Sequence, residues 1–137
     1  MSSSNGVKKN TYGVWSRNLF ADSSVVDAPV RLIFIAGMAA EDPQDGHIQH
    51  LGDLEAQSNM AFEKIKTILK EHGAGMSDIV RMTAYLTDMR EKKIYEACLK
   101  KALDGAEPPP HSLLGISSLA WPGMMVEIEV TAAVPLK

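Results

Sequence analysis

At 137 residues the chain has the usual size of one domain and little room for a second core. Its 45% hydrophobic and 23% charged residues fit an ordinary soluble protein, which argues against a disordered or a membrane class. A net charge of −3, with dispersed Lys and Arg, gives no general attraction to phosphate, so no nucleic-acid partner is expected.

Residues 1–10 are polar and Ser-rich with two lysines, and read as a flexible tail ahead of a single domain over 11–137. They lack the apolar centre of a secretory signal, which makes the cytoplasm the expected location. The longest strongly apolar stretch, from Leu32 to Ala40, falls well short of the roughly 20 residues that cross a bilayer, so no membrane contact is expected. Cys98 is the single cysteine; it forms no intrachain disulfide and reads as a small buried hydrophobe on a helix.

The run VRLIFIA, from Val30 to Ala36, ends at Gly37 and has the apolar continuity of a central strand buried on both faces. The stretch 41–52 holds Pro43, Gly46 and Gly52 among polar residues and should form turns, with brief pairing around His47–His50. Over 54–72, Leu54, Ala61, Phe62, Ile65, Ile68 and Leu69 recur at helical spacing; Asp53 is the expected N-cap and Gly73 the left-handed stop. From Ile79 to Thr87 the period is two: Val80, Met82, Ala84 and Leu86 face the core, and Arg81, Thr83, Tyr85 and Thr87 face away.

Residues 90–103 predict a second helix with Ile94, Ala97, Cys98 and Ala102 on its inner side, ended by Gly105 and the prolines at 108–110. Arg90, Lys92, Lys93, Lys100 and Lys101 beside Glu91 and Glu96 read as its solvated face. His111–Leu119 follows as a strand with Leu114 and Ile116 on one face, and Trp121–Gly123 as a turn. The last strand, Met124–Val134, puts Met124, Val126, Ile128, Val130 and Ala132 inward, and Met125, Glu127, Glu129 and Thr131 outward. The order β-β-α-β-α-β-β predicts an α+β layer with both helices on one sheet face; the uncovered face is a reason to expect a closed cyclic oligomer.

Three segments in this order, EAQSNMAFEKIKTILKEHGAGMSDIVRMTAYLTDM (55–89), PPHS (109–112) and PGMMVEIEVTA (122–132), resemble the reactive intermediate deaminase (Rid, YjgF-like) family, also called endoribonuclease L-PSP-like. With IAG at 35–37 the resemblance covers about a hundred residues, in line with one whole domain. It implies a single mixed sheet of chorismate-mutase-like or YjgF-like architecture, a homotrimer, and clefts between subunits. There, 2-imino or 2-enamino acids would be hydrolysed to 2-keto acids and ammonia with no metal or other cofactor. Such a cleft needs an oriented water, donors near the developing charge, and a cation for the substrate carboxylate.

By the same resemblance, the family's carboxylate-binding arginine falls on His111, which offers one donor in place of a fork. Glu127, the first glutamate of EIE, falls where the family orients or deprotonates water, with Glu129 competing on the same face. His111 and Glu127 are therefore the candidate catalytic residues; Gly37, Arg81, Tyr85, Ser112 and Trp121 are the candidate substrate contacts. Ala36 and Met38 stand where the family often has Ser and Gln, which makes the cleft floor less polar. Trp15 and Phe20, with Tyr85 and Trp121, are candidate aromatic walls, and Arg17, Arg31 or Arg81 could replace the lost arginine. The alternative is a small-metabolite-binding trimer that kept the clefts and lost the chemistry. A third reading, ribonuclease, sits poorly with the acidic balance.

Overall fold

The alternation at the end of the chain builds the centre of the sheet. In the computed structural model, which describes residues 7–27 and 29–136, the elements are strands β1 (Val7–Asn10), β2 (Ser23–Val26) and β3 (Val30–Met38), helix α1 (Leu54–Glu71), β4 (Ile79–Leu86), helix α2 (Lys92–Leu103), β5 (His111–Gly115) and β6 (Val126–Pro135). The main sheet has the order β3-β6-β4-β5. β6 pairs antiparallel with both β3 and β4, while β5 lies parallel to β4, so the sheet is mixed. Val126, Ile128, Val130 and Ala132 point to the helices and are buried; Glu127, Glu129 and Thr131 point to the opposite, open face. α1 and α2 both pack on the first face, giving the expected α+β layer.

Helix α1 forms as its spacing predicts. The Asp53 carboxylate accepts the Ala56 N–H at 3.0 Å, and Gly73, at φ 74°, takes the left-handed turn after the last residues of the helix. Two polar residues outside the expected apolar stripe, Gln57 and Ser58, are buried on its inner side. Gln57 is fully buried; its amide donates to the His50 and Gly123 carbonyls at 3.2 and 2.9 Å, and its oxygen accepts the Met125 N–H at 2.9 Å. It thereby ties the loop before α1 to the entry of β6.

Several expectations are corrected. β3 is an edge strand with one buried face: Ile33 and Ile35 are buried, but Leu32 is 49% and Phe34 75% exposed. Its apolar continuity suggested a central strand, and β6 takes that place. In β4 the register shifts between Ile79 and Arg81, so Ile79 is buried in place of Val80, whose carbonyl accepts the Ser24 hydroxyl at 2.7 Å. In α2 the buried stripe is Tyr95, Cys98, Leu99, Ala102 and Leu103; Ile94 and Ala97 face solvent. β5 ends at Gly115, four residues early, and Leu114 points to the open face. The brief pairing expected around His47–His50 does form, as an antiparallel bridge between Glu41 and Ile48.

Residues 7–10, expected within the tail, form β1 paired with β2; residues 1–6 lie outside the described residues. The buried Lys9 ammonium donates to the carbonyls of Ser77 and Glu107 at 3.1 and 3.0 Å, fastening this ribbon to the entry of β4 and the exit of α2. Among the described residues no helix is long and apolar enough to cross a membrane.

Gln57→Leu keeps the volume but strands the Met125 N–H and two carbonyls. It should lower stability by about 1–3 kcal/mol, read as a fall in the urea midpoint at unchanged m-value.

Candidate functional site

The open face of the sheet gathers most of the polar residues singled out in the sequence. Register across β6 and β4 sets Tyr85 opposite Glu127 and Thr83 opposite Glu129, and register across β4 and β5 sets Ser112 beside Thr83. Arg81 Nη2 donates to Ser112 Oγ at 3.0 Å, and the Tyr85 hydroxyl donates to Glu129 Oε1 at 2.5 Å. That hydrogen bond from Tyr85 to an anionic partner raises the phenol's pKa. A concavity of about 420 Å³ on this face is lined by Phe34, Ala36, Arg81, Thr83, Glu129 and Thr131, among others.

Glu127 lies over Gly37. A Cβ at position 37 would sit 2.1 Å from Glu127 Oε2, so the carboxylate occupies space that only glycine leaves open. Partial burial, then the neighbouring Glu41 and Glu129 carboxylates, push the Glu127 carboxyl above its ordinary range. Glu41 is itself held by the Lys64 ammonium at 2.6 Å. Glu129 is engaged by Tyr85, whereas Glu127 accepts no hydrogen bond from any other side chain among the described residues. Its oxygens are available to a water or a substrate proton.

His111 is elsewhere. It stands opposite Met82, on the helix side of the sheet, while Ser112 is on the open side. His111 Nε2 is 2.7 Å from the hydroxyl of the fully buried Tyr95, and the two rings are 5.8 Å apart. Burial first, and then the positive charge of Arg81, lowers the imidazole pKa to about 4, so the ring is neutral at pH 7. Within one chain, therefore, His111 and Glu127 lie on opposite faces of the sheet. Of the three arginines considered as replacements, Arg31 donates to the His72 carbonyl near the end of α1, Arg17 lines a hollow beside Lys100 and Glu107, and Arg81 alone lies on the open face.

Trp15 and Phe20 pack edge to face at 5.7 Å and line a cavity that also contains His111. Trp121 is 65% exposed in the turn before β6. Tyr95 and Glu41 were not singled out in the sequence. Tyr95 sits three residues before Cys98 and four before Leu99, so shifting the helical stripe by one position would have found it. Glu41 reaches Glu127 only through the fold. Among the described residues no group of three or more His, Cys, Asp or Glu side chains is placed to hold a metal ion.

Comparison with known proteins agrees with this architecture. The profile of the family described as Endoribonuclease L-PSP matches residues 21–134. The RutC family protein slr0709 of Synechocystis is 30% identical over 103 residues, which span 75% of this chain and 78% of that one. TdcF of Escherichia coli strain K12, described provisionally as a reactive intermediate deaminase, is 27% identical over 103 residues, 74% and 78% of the two chains. The crystal structure of YyfB from Yersinia pestis, a protein of unknown function in the conserved Rid protein family, superposes with a TM-score of 0.84 at 25% identity, covering 94% of this chain and 99% of that one. A two-helix layer on a mixed sheet defines the class, and over most of its length the chain belongs to the Rid (YjgF, endoribonuclease L-PSP) family.

The position of His111 has a consequence for stability. The unfolded imidazole takes up a proton near pH 6.5 and the folded one only near pH 4, so between these values the unfolded state binds more protons and stability rises with pH. The contribution is complete above about pH 6.5 and is lost as pH falls toward 4, reaching about 3 kcal/mol. Urea midpoints of wild type should drop between pH 7 and pH 4.5 by more than those of His111→Gln. Parallel pH profiles would show that the ring is not held neutral by the fold.

Proposed function

We propose that the chain is a Rid-type deaminase that hydrolyses 2-imino or 2-enamino acids to 2-keto acids and ammonia, acting in the cytoplasm as a homotrimer with clefts between its subunits. The observation that carries this reading is Glu127, a carboxylate with raised proton affinity, packed over Gly37 and with no other side chain hydrogen-bonded to it. Such a group can take a proton from water as it attacks the imine carbon and return it to the nitrogen as the C–N bond breaks, so that imine and water leave as keto acid and ammonia. Arg81, on the same face, supplies the planar cation suited to the substrate carboxylate. Ser112 holds its guanidinium, and Tyr85 holds Glu129 apart from the water.

The open face supports the trimer reading. Leu32, Phe34 and Leu114 are 49%, 75% and 46% exposed on it, an apolar surface that symmetry-related copies would cover. A second reading, a metabolite-binding trimer without chemistry, is favoured by the neutral His111 in the position where the family resemblance puts an arginine. RNA hydrolysis has the least support, given the net charge of −3.

The decisive assay follows keto-acid release from 2-imino acids generated in situ by an amino-acid oxidase. Wild type should accelerate release, Glu127→Gln should reduce kcat by about a hundredfold or more, and Arg81→Ala should act mainly on KM, by about tenfold. No acceleration for any of several imino acids, by a folded oligomer, would leave the binding reading. Light scattering should give three times the chain mass, and Phe34→Glu should reduce it to one; a monomeric wild type at micromolar concentration refutes the trimer.

A further inference from the structure

The stretch from Gly37 to Glu41, which leads out of β3, is held along its length. Gly37 lies beneath the Glu127 carboxylate with no room for a Cβ, Met38 pairs with Ile128, Ala39 and Ala40 are buried, and the Glu41 backbone bridges to Ile48. One end of the stretch therefore meets Glu127, and the other carries a second carboxylate.

That second carboxylate is fastened from α1. The Lys64 ammonium donates to the carbonyls of Ala39 and Glu41 at 2.8 and 2.5 Å and to Glu41 Oε1 at 2.6 Å, so the whole donor set of the lysine is committed to this one loop. The Lys64 side chain is 19% exposed, and a pair so far withdrawn from water is held more firmly than an exposed one. Among the described residues no other side chain binds the Glu41 carboxylate. On its outer side the pair borders a hollow of about 500 Å³, walled by Met38, Pro43, Met60 and Ile68, which leaves the Glu41 side chain room to turn away if the ammonium releases it.

Few charged or titratable groups face Glu127. Tyr85 stands opposite on β4 and Glu129 follows on β6, but these two are bonded to each other, and Arg81, farther along β4, is bonded to Ser112. From the β3 side come Gly37, which has no charge, and Glu41. The Glu41 charge registers at Glu127 ahead of that of Glu129, while that of Lys64 does not, so the ammonium holds the anion from behind.

We propose that Lys64 and Glu41 are positioning residues for Glu127: the ammonium fixes the Glu41 carboxylate beside it, and this fixed anion sets how firmly Glu127 keeps a proton. Neither residue touches the reacting atoms. The role in catalysis rests on the deaminase reading, in which Glu127 takes the proton of the attacking water; the electrostatic link to Glu127 does not.

The test titrates Glu127 in the whole chain by carbon NMR of labelled glutamate carboxyls, with Glu127→Gln identifying its signal. Glu41→Gln keeps an oxygen for Lys64 and removes only the charge, so the Glu127 midpoint should move to lower pH; an unchanged midpoint overturns the link. Lys64→Met releases Glu41 into the hollow and should move the midpoint the same way, with no further movement in the double variant, while Lys64→Arg, which keeps a cation and its donors, should stay near wild type. Lys64→Gln repeats the test with donors for the carbonyls retained, should the Met variant not fold. A move to higher pH on removing the Lys64 charge, or a move that persists in full in the Glu41→Gln background, overturns the role of Lys64. In turnover of 2-imino acids, the acid limb of kcat/KM should follow the titration. At about pH 5, Glu41→Gln should retain a fraction of its own plateau about twofold or more greater than wild type retains of its plateau. A limb that stays in place while the titration moves, or no turnover at all, removes Glu127 as the base and the deaminase reading with it, and the link between Lys64, Glu41 and Glu127 stands.

Discussion

β6 is hydrogen-bonded along both its edges, to β3 on one side and β4 on the other, and nearly every functional feature hangs on that placement. Its inward residues Val126, Ile128, Val130 and Ala132 supply the middle of the core, and its outward residues Glu127, Glu129 and Thr131 supply the acidic line of the open face. Because side chains alternate strictly along a strand, burying the first set fixes where the second points. Gln57 guards the entry to this strand by taking the Met125 N–H, so the helix that covers the core also sets where β6 begins.

The two glutamates of the open face are differentiated by their neighbours alone. Tyr85 donates to Glu129 and makes it a fixed acceptor, while Gly37 and the nearby Glu41 leave Glu127 crowded, partly desolvated and raised in proton affinity. Chemically identical groups two residues apart thereby acquire different capacities, through packing and like-charge repulsion. Across the sheet, burial against Tyr95 gives His111 the opposite treatment, and a residue type often used as a proton carrier at neutral pH is held as a neutral hydrogen-bonding group.

Much of the layer is legible in the chain. The α1 stripe with Asp53 and Gly73 at its ends, and the alternation expected over Met124–Val134, are long enough for period and capping chemistry to agree; the helix forms as expected, and the alternation holds from Val126 to Ala132. The errors lie where one residue changes the phase. A bulge at the entry of β4 exchanges Ile79 for Val80, and α2, rich in Lys on its outer side, conceals a stripe that runs through Tyr95 and Leu99 instead of Ile94 and Ala97. β3 misled for a different reason: its open-face residues Leu32 and Phe34 are as apolar as its core residues, so composition could not tell an edge strand from a central one.

By itself the sequence determined the α+β layer, the face on which Glu127 stands, and the family to which the chain belongs, because each rests on periodicity or on motifs contiguous in the chain. The tertiary structure decided which strand lies at the centre, that Glu41 approaches Glu127 across Gly37, and that His111 turns away from Glu127 to meet Tyr95. These are contacts between segments far apart in the chain, and both the direction of an edge-strand side chain and the proton affinity of a carboxylate depend on neighbours that only folding brings together.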